Sequence, residues 1–302
     1  MDPPLIRTFS YHYRLKFGAG VGKIPVDMGQ SCPNRETGGC IFCRPASFTP
    51  SYLNKTDAVS SQVVKGKKHL LRSRFTKYFA YFQQETCTAL PPDSLLTVCK
   101  KLLSDNDCVG LILSTRPDYV EDRLIARLAD LVDTTGKDCL FELGVQSAHE
   151  RSLKLLNRNH SFSDFSDAVK RIKQTGGLEV AGHLIFGIPG ESERDMLYSL
   201  ARVCELGVDG LKIHHLQVIR ETKLHDLYLQ GKVSLFTLEQ YLSFLLLALP
   251  TIPSDITIHR LWATSHPDLL VGPRWNILAG QLSALLRDRM EAAGVRQGIA
   301  TF

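Results

Sequence analysis

Three of the eight cysteines in this 302-residue chain are spaced for chemistry. In CPNRETGGCIFC, seven residues separate Cys32 from Cys40 and two separate Cys40 from Cys43. The Cys-x-x-Cys half lets two thiolates converge on one metal centre, and Gly38 and Gly39 permit the backbone conformations such a loop needs. Three thiolates with no fourth nearby leave a coordination position open, whereas a structural zinc site normally closes at four ligands. One reading is a [4Fe-4S] cluster with three irons held by Cys32, Cys40 and Cys43 and the fourth free to bind a small molecule. The other is a zinc ion completed by a distant residue such as His12 or His69; spacing alone does not choose the metal. A thioredoxin-type redox pair fits poorly, because a third cysteine accompanies the Cys-x-x-Cys. The remaining five, Cys87, Cys99, Cys108, Cys139 and Cys204, sit singly in apolar or amphipathic surroundings and read as small core hydrophobes.

Something must hold that loop, and the chain around it repeats. Apolar, β-branched or aromatic runs begin near residues 77, 108, 139, 178 and 208, spaced about 30 to 40 residues apart, the length of a strand, a helix and two loops. Between them, PDSLLTVCKKLLSD, YVEDRLIARLADLVDTTG, DFSDAVKRIKQTGG and ERDMLYSLARVCELG place apolar residues at helical spacing, with capping residues at their starts and Gly near several ends. A short strand, KIPVD, precedes the cysteines, and a helix is expected from about 57 to 76. Six strand-helix units imply a parallel sheet covered by helices, with functional groups at the carboxyl ends of the strands. Six favour an open arc over a closed eight-stranded barrel. From about 236 the pattern changes to one isolated strand, DITIHRLW, and a final helix from about 276 to 293. Residues 1–235 therefore read as a partial barrel and 236–302 as an α/β extension packed on it.

Composition sets outer bounds. Hydrophobic residues make up 44% and charged residues 22%, which excludes wholesale disorder. No run is long and apolar enough to span a bilayer, and the first residues lack the apolar core of a secretory signal, so a cytoplasmic, disulfide-free protein with no membrane partner is expected. The net charge of +5 is too mild to identify nucleic acid as a partner.

A three-cysteine loop after the first strand of a six-fold βα repeat resembles the radical S-adenosylmethionine superfamily. More closely, the chain is similar to bacterial radical-SAM proteins of about this length, uncharacterised and related to the catalytic subunit of Elongator. The matching segments run in order through nearly the whole chain: VDMGQSCPNRETGGCIFC, YFAYFQQETCT, LSTRPDYV, ELGVQSAHERSLKLLNRNH, HLIFGIPGES, DGLKIHHLQVI, TKLHDLYLQGKV and IHRLWATSHPDLLVGPRW. The resemblance implies a partial (β/α)6 barrel of TIM type. It also implies a [4Fe-4S] cluster whose open iron binds S-adenosylmethionine, which on one-electron reduction yields a 5'-deoxyadenosyl radical that abstracts hydrogen from a substrate. An electron donor such as flavodoxin or ferredoxin is implied as a partner. The cofactor carries the hard chemistry, while the barrel orients it and excludes water.

The same resemblance suggests roles for polar residues. Gln146 and Arg158 stand at the spacing of a Gln and an Arg that contact the cofactor in the oxygen-independent coproporphyrinogen oxidases. Arg158 would hold the methionine carboxylate and Gln146 a ribose hydroxyl, as suits a bidentate guanidinium and an amide that both donates and accepts. A helix-end Arg and a rim Gln are the structural alternatives. Tyr81 and Gln83 end the second strand, where the superfamily positions the amino group. Ser114, Thr115 and Arg116 end the third and are candidates for ribose or substrate contact, although Arg116 before Pro117 is also a simple strand end. His183 opens HLIFGIPGE, where a ribose contact and a core histidine are both plausible and the Gly-x-Pro-Gly turn would approach adenine. His214 and His215 point to opposite faces of the last strand, and Lys212 shares the face of His214; Lys212 and His214 are the expected substrate contacts. No residue is singled out as catalytic.

Two departures from the family stand out. The seven-residue gap is short, and Glu221 occupies a position usually held by Gly before Thr222. The basic residues Lys65, Lys67, Lys68, His69, Arg72, Arg74 and Lys77 could track RNA phosphates, but a solvated helix face explains them as well. The rival to an enzyme is a non-catalytic metal- or RNA-binding protein with the triad as a structural staple.

Overall fold

The structure is a computed structural model that describes residues 4–71 and 75–300. Its strands are β1 (Val21–Pro25), β2 (Lys77–Phe82), β3 (Cys108–Thr115), β4 (Asp138–Gln146), β5 (Glu179–Phe186), β6 (Gly210–His215), β7 (Val218–Ile219), β8 (Thr257–Arg260) and β9 (Leu270–Gly272). Its α-helices are α1 (Phe9–Phe17), α2 (Val59–Gly66), α3 (Pro92–Leu103), α4 (Asp122–Thr135), α5 (Glu150–Leu155), α6 (Phe162–Thr175), α7 (Glu193–Cys204), α8 (Lys223–Leu229), α9 (Leu238–Ala248) and α10 (Ala279–Ala292).

Two of the expected helices start on a local signal. Ser161 and Ser192 close capping boxes with Asp164 and Asp195 at the starts of α6 and α7, satisfying amide groups that a helix end leaves without partners. The apolar stripes of α3, α4, α6 and α7 then bury against the sheet, as in Leu124, Ile125 and Leu128 of α4. Cys87, Cys99, Cys108, Cys139 and Cys204 are all buried and unpaired within this core.

Seven parallel strands form one curled sheet in the order β1-β2-β3-β4-β5-β6-β8. This is a partial TIM-type α/β barrel, with one strand more than the repeat suggested. The segment read as an isolated strand is β8, paired parallel to β6; residues 236–302 thus supply a strand to the sheet as well as packing on it. The helical repeat stops before β8, so periodicity carried no sign of the pairing. A separate antiparallel pair joins β7 to β9.

Among the described residues no pairing joins β1 to β8, and α1 lies in that gap. Thr8 bridges to Ile258, and the Phe9 ring lies 5.7 Å from Phe79 and 5.3 Å from His259. Phe9, Tyr13, Phe79, Ile112 and Leu140 fill the lower interior. Alternation along each strand then raises further side chains above this plug, Tyr81 on β2 and Glu142 on β4.

The basic segment is shorter than expected. After α2, residues Lys67–Leu71 form a π-helical turn, and Arg72 and Arg74 lie outside the described residues. Lys65 pairs with Asp57 at 2.6 Å, and Lys67 pairs with Asp105 and Asp107 at 2.7 and 2.9 Å. Two members of the stripe are thus matched by carboxylates. No helix among the described residues is long and apolar enough to cross a membrane.

Candidate active site

The cysteine loop follows β1 and turns through a short 3-10 segment, Pro33–Thr37. Gly38 and Gly39 then take φ of 93° and 71°, the left-handed conformations expected of them. A second loop, between α5 and α6, grips the first. Asn157 Nδ2 donates to the carbonyls of Thr37 and Gly39 at 3.1 and 2.7 Å, and Asn159 Nδ2 donates to Asn34 Oδ1 and Thr37 Oγ1, each at 2.7 Å. Both asparagines have positive φ, 53° and 51°, a conformation Asn tolerates better than most residues. Arg158 stands between them.

Donors converge on two of the sulfurs. Arg158 Nη1 and Asn34 Nδ2 donate to Cys40 Sγ at 3.1 and 3.2 Å, and Thr86 Oγ1 donates to Cys32 Sγ at 3.2 Å. The Cys32 amide donates to Glu85, which the Arg35 guanidinium grips in turn. Burial pushes the Cys43 thiol up to about 12; ligation to a metal would deprotonate it.

Cys32, Cys40 and Cys43 line one cavity at the carboxyl ends of the strands. Among the described residues, no three His, Cys, Asp or Glu side chains converge as a single ion would require. His12 bonds Arg7 at 2.9 Å and borders a different recess, and the His69 ring faces Tyr52 at 5.5 Å. Neither distant zinc ligand accompanies the cysteines. A donor set of three thiols on one cavity, with hydrogen bonds to the sulfurs of Cys32 and Cys40 of the kind that tune iron-sulfur centres, fits such a centre.

Most of the polar residues singled out from the sequence share this cavity: Gln83, Ser114, Thr115, Arg116, Gln146, Arg158, His183, Lys212 and His214 all line it. Gln146 ends β4 with φ 70°, and its Oε1 is buried without a hydrogen-bond partner. Such an orphaned acceptor, held in a sparsely populated conformation, is a group that a ligand can satisfy. Gly144 beside it leaves room for both side chains: a Cβ there would lie 2.9 Å from Gln146 Nε2 and 3.0 Å from Arg158 Nη2 and would displace them. Arg158 Nη2 also donates to Gly144 O at 2.7 Å.

Several placements differ from expectation. Tyr81, expected against the cofactor, lies beneath the cavity, where its hydroxyl bonds Glu142 and Lys212 Nζ. Strand alternation alone did not say how deep in the interior it would fall. Arg116 borders the cavity, but its guanidinium is engaged by Asp118 and by the carbonyls of Arg158 and Asn159 at 2.6 and 2.9 Å; it braces the gripping loop. Thr115 bonds Thr88. Lys212 is held by Glu142 at 2.7 Å. His215 takes the face opposite His214 for most of its contacts, its ring 4.1 Å from that of Trp275. Glu221 adopts φ 62°, which explains why Gly suits that position.

Below the cavity lies a charged layer that sequence reading missed. Glu142, on the central strand β4, is fully buried and faces Lys212 at 2.7 Å, His259 at 3.7 Å and Lys23 at 3.9 Å. Burial alone would raise its carboxyl, but Lys212, His259 and Lys23 outweigh it and hold it well below the usual carboxylate range. Burial brings Lys23 down to about 7 despite Glu142, and His259 down to about 4. His183 and His214, 4.3 Å apart and edge to face, are driven well below the ordinary histidine range, first by burial and next by Lys212 and by His183 respectively. Both are neutral near pH 7. A lone acid inside the apolar run CLFELGVQ was the available signal for Glu142.

The chain has relatives among known proteins. It is 33% identical over 298 residues to the uncharacterised protein YtqA of Bacillus subtilis (strain 168), covering 96% of this chain and 91% of that one. It is 29% identical over 192 residues to a tRNA uridine(34) acetyltransferase of Methanocaldococcus infernus, a match spanning 63% of this chain but only 34% of the acetyltransferase. The structure of the archaeal Methanocaldococcus infernus Elp3, with an N-terminal deletion, shares the fold, with a TM-score of 0.68 at 22% identity over 92% of this chain and 64% of that one. The sequence model of the Radical_SAM C-terminal domain matches residues 208–292. Since the model of the Radical SAM superfamily matches residues 26–203, more than half the chain, and the half-barrel opens on a three-cysteine cavity, this protein belongs to the radical SAM superfamily of enzymes.

Proposed function

We propose that Cys32, Cys40 and Cys43 hold three irons of a [4Fe-4S] cluster and that S-adenosylmethionine lies in the adjoining cavity, with an unidentified substrate entering beside it. The observation that carries this reading is the meeting, around one cavity, of three thiols with Gln146 and Arg158. When bound, the pair would supply a 5'-deoxyadenosyl radical by one-electron cleavage of the sulfonium, for hydrogen abstraction. Arg158 offers a guanidinium to a carboxylate, and Gln146 offers an unsatisfied acceptor to a hydroxyl. Asn34, Thr86 and Arg158 donate hydrogen bonds to thiolate sulfur, which stabilises negative charge there. The loop of Asn157 and Asn159 fixes the cysteines, and the aromatic plug fills the barrel interior beneath the charged layer. Electrons would come from a small carrier such as flavodoxin or ferredoxin.

The test is anaerobic reconstitution with iron and sulfide. The wild-type chain is expected to show the absorbance of a [4Fe-4S] cluster and, with reductant, to release 5'-deoxyadenosine from S-adenosylmethionine. Cys43→Ala, checked to be folded by its thermal transition, is expected to lose both. One equivalent of zinc, with spectra unchanged by S-adenosylmethionine, would replace this reading with that of a structural staple.

A further inference from the structure

We propose that the substrate is recognised through an anionic group, a carboxylate or a phosphate, seated on Arg260 beside His183 and His214. The inference rests on the preceding reading that this cavity receives the substrate.

Arg260 reaches the cavity through an irregularity in the sheet. Leu211 pairs with Ile258 but Lys212 pairs with Arg260, so His259 is an extra residue in β8. A bulge of this kind re-aims the side chain that follows it. His259 therefore turns toward Glu142, and Arg260 comes level with Lys212 at the wall of the cavity.

The charges of the wall do not balance. Arg44, Arg116, Arg158, Lys212 and Arg260 line it, against Glu85 as its carboxylate. Glu85 is matched by Arg35, Arg44 by Glu221, Arg116 by Asp118 and Lys212 by Glu142. Arg158 is turned to Cys40 and to backbone, where the proposed cofactor would bring its own carboxylate. Arg260 is left: its backbone pairs in the sheet, but among the described residues its guanidinium has neither a carboxylate within ion-pair distance nor a hydrogen bond. A half-buried guanidinium with its forked donors free is suited to two oxygens of one anion.

The neighbouring groups complete the seat. His183 Nε2 and His214 Nε2 are buried without hydrogen-bond partners. Buried polar atoms in folded proteins are nearly always satisfied, so two orphans beside an unpaired cation point to a polar ligand. A neutral imidazole nitrogen can donate to an anion's oxygen or accept from a protonated one, according to tautomer. The three side chains lie on the neighbouring strands β5, β6 and β8, toward the β8 edge of the sheet, while the cysteines stand on the loop after β1 at its other edge. They are the contacts of a substrate placed between the two.

The test uses the full chain, reconstituted with iron and saturated with S-adenosylmethionine. Acetate and inorganic phosphate are titrated by calorimetry into wild type, Arg260→Gln and Arg260→Lys, with thermal unfolding as the check on folding and His214→Phe as a second variant should Arg260→Gln not fold. Wild type is expected to bind one equivalent of at least one anion, Arg260→Gln at least tenfold more weakly, and Arg260→Lys in between; the preferred anion identifies the source. The proposal is overturned if iron-loaded wild type binds neither anion saturably, or if folded Arg260→Gln, or His214→Phe in its place, binds as tightly as wild type. Iron content and S-adenosylmethionine binding, measured on the same samples, report separately on the cluster reading. Loss of those with Arg260-dependent anion binding intact would sink that reading and leave this one.

Discussion

The rim and the floor of the cavity are built on different physics. At the rim, the loop Cys32–Cys43 is held by neutral amide hydrogen bonds from Asn157 and Asn159, in left-handed conformations and partly open to solvent. At the floor, a fully buried Glu142 sits among Lys212, His259 and the partly exposed Lys23. A neutral clamp costs little to expose and can let a loop adjust to what it binds. A buried carboxylate among cations tolerates little movement, because any partner lost leaves an uncompensated charge in a low dielectric. The comparison teaches that the rim is built to hold a group and the floor to fix the strands against one another.

Removing Glu142 should expose this contrast most sharply. Glu142→Ala strands Lys212 and Lys23 beneath the cavity and is expected to lower stability by about 3 to 5 kcal/mol in denaturant unfolding. Glu142→Ala combined with Lys212→Met should recover part of that loss. An unfolding midpoint unchanged by Glu142→Ala would mean the layer is not a charge-balanced unit.

Acid should act on His259 in the floor and on His215, which packs against Trp275 on the opposite face of β6. Lowered by burial to about 4 and about 3, they stay neutral in the folded protein while the unfolded chain takes up protons below about 6.5. Their contribution is therefore complete above that pH and is lost as pH falls from about 6.5 toward 4 for His259 and toward 3 for His215. Each adds a slope of about 1.4 kcal/mol per pH unit across that window. His215→Phe, whose ring would pack on Trp275 and Tyr241, should make the profile shallower by about that amount; an unchanged slope would show that His215 titrates normally.

The rim is expected to yield smaller changes in stability but larger ones in cluster retention. Asn159→Ala removes two hydrogen bonds and places a Cβ-bearing apolar residue at φ 51°, a loss of about 1 to 3 kcal/mol. Asn159→Gly keeps the backbone but not the clamp and should recover roughly 1 kcal/mol of it, while iron release stays faster than wild type in both. Equal iron retention in all three proteins would mean the clamp does not govern the loop. Smallest of all, Lys65→Ala breaks an exposed pair with Asp57 and should shift stability by about 0.5 kcal/mol or less.

Legibility in the sequence divides along the same line. Part of the rim was readable because its residues come in short motifs: CPNRETGGCIFC carries its own spacing, and LLNRNH pointed to Arg158, although the clamping asparagines on either side of it, Asn157 and Asn159, went unread. The floor as a unit was not readable. Lys23, Glu142, Lys212 and His259 come from four strands far apart in the chain, and of these only Lys212 was singled out, for a different role. Tyr81 was placed at the right strand end but at the wrong depth, since alternation gives the face of a residue and not its height in the barrel. Arg116, taken for a ligand contact, braces the loop that carries Arg158.

The sequence by itself determined the βα repeat, the spacing of the cysteine triad and the burial of the five other cysteines, because periodicity, turn residues and apolar surroundings are local properties. Tertiary structure decided that β8 joins the sheet, that α1 fills the gap between β1 and β8, and that a bulge at His259 turns Arg260 to the cavity. Those outcomes depend on register between distant strands, and a shift of one residue there exchanges the face every side chain presents.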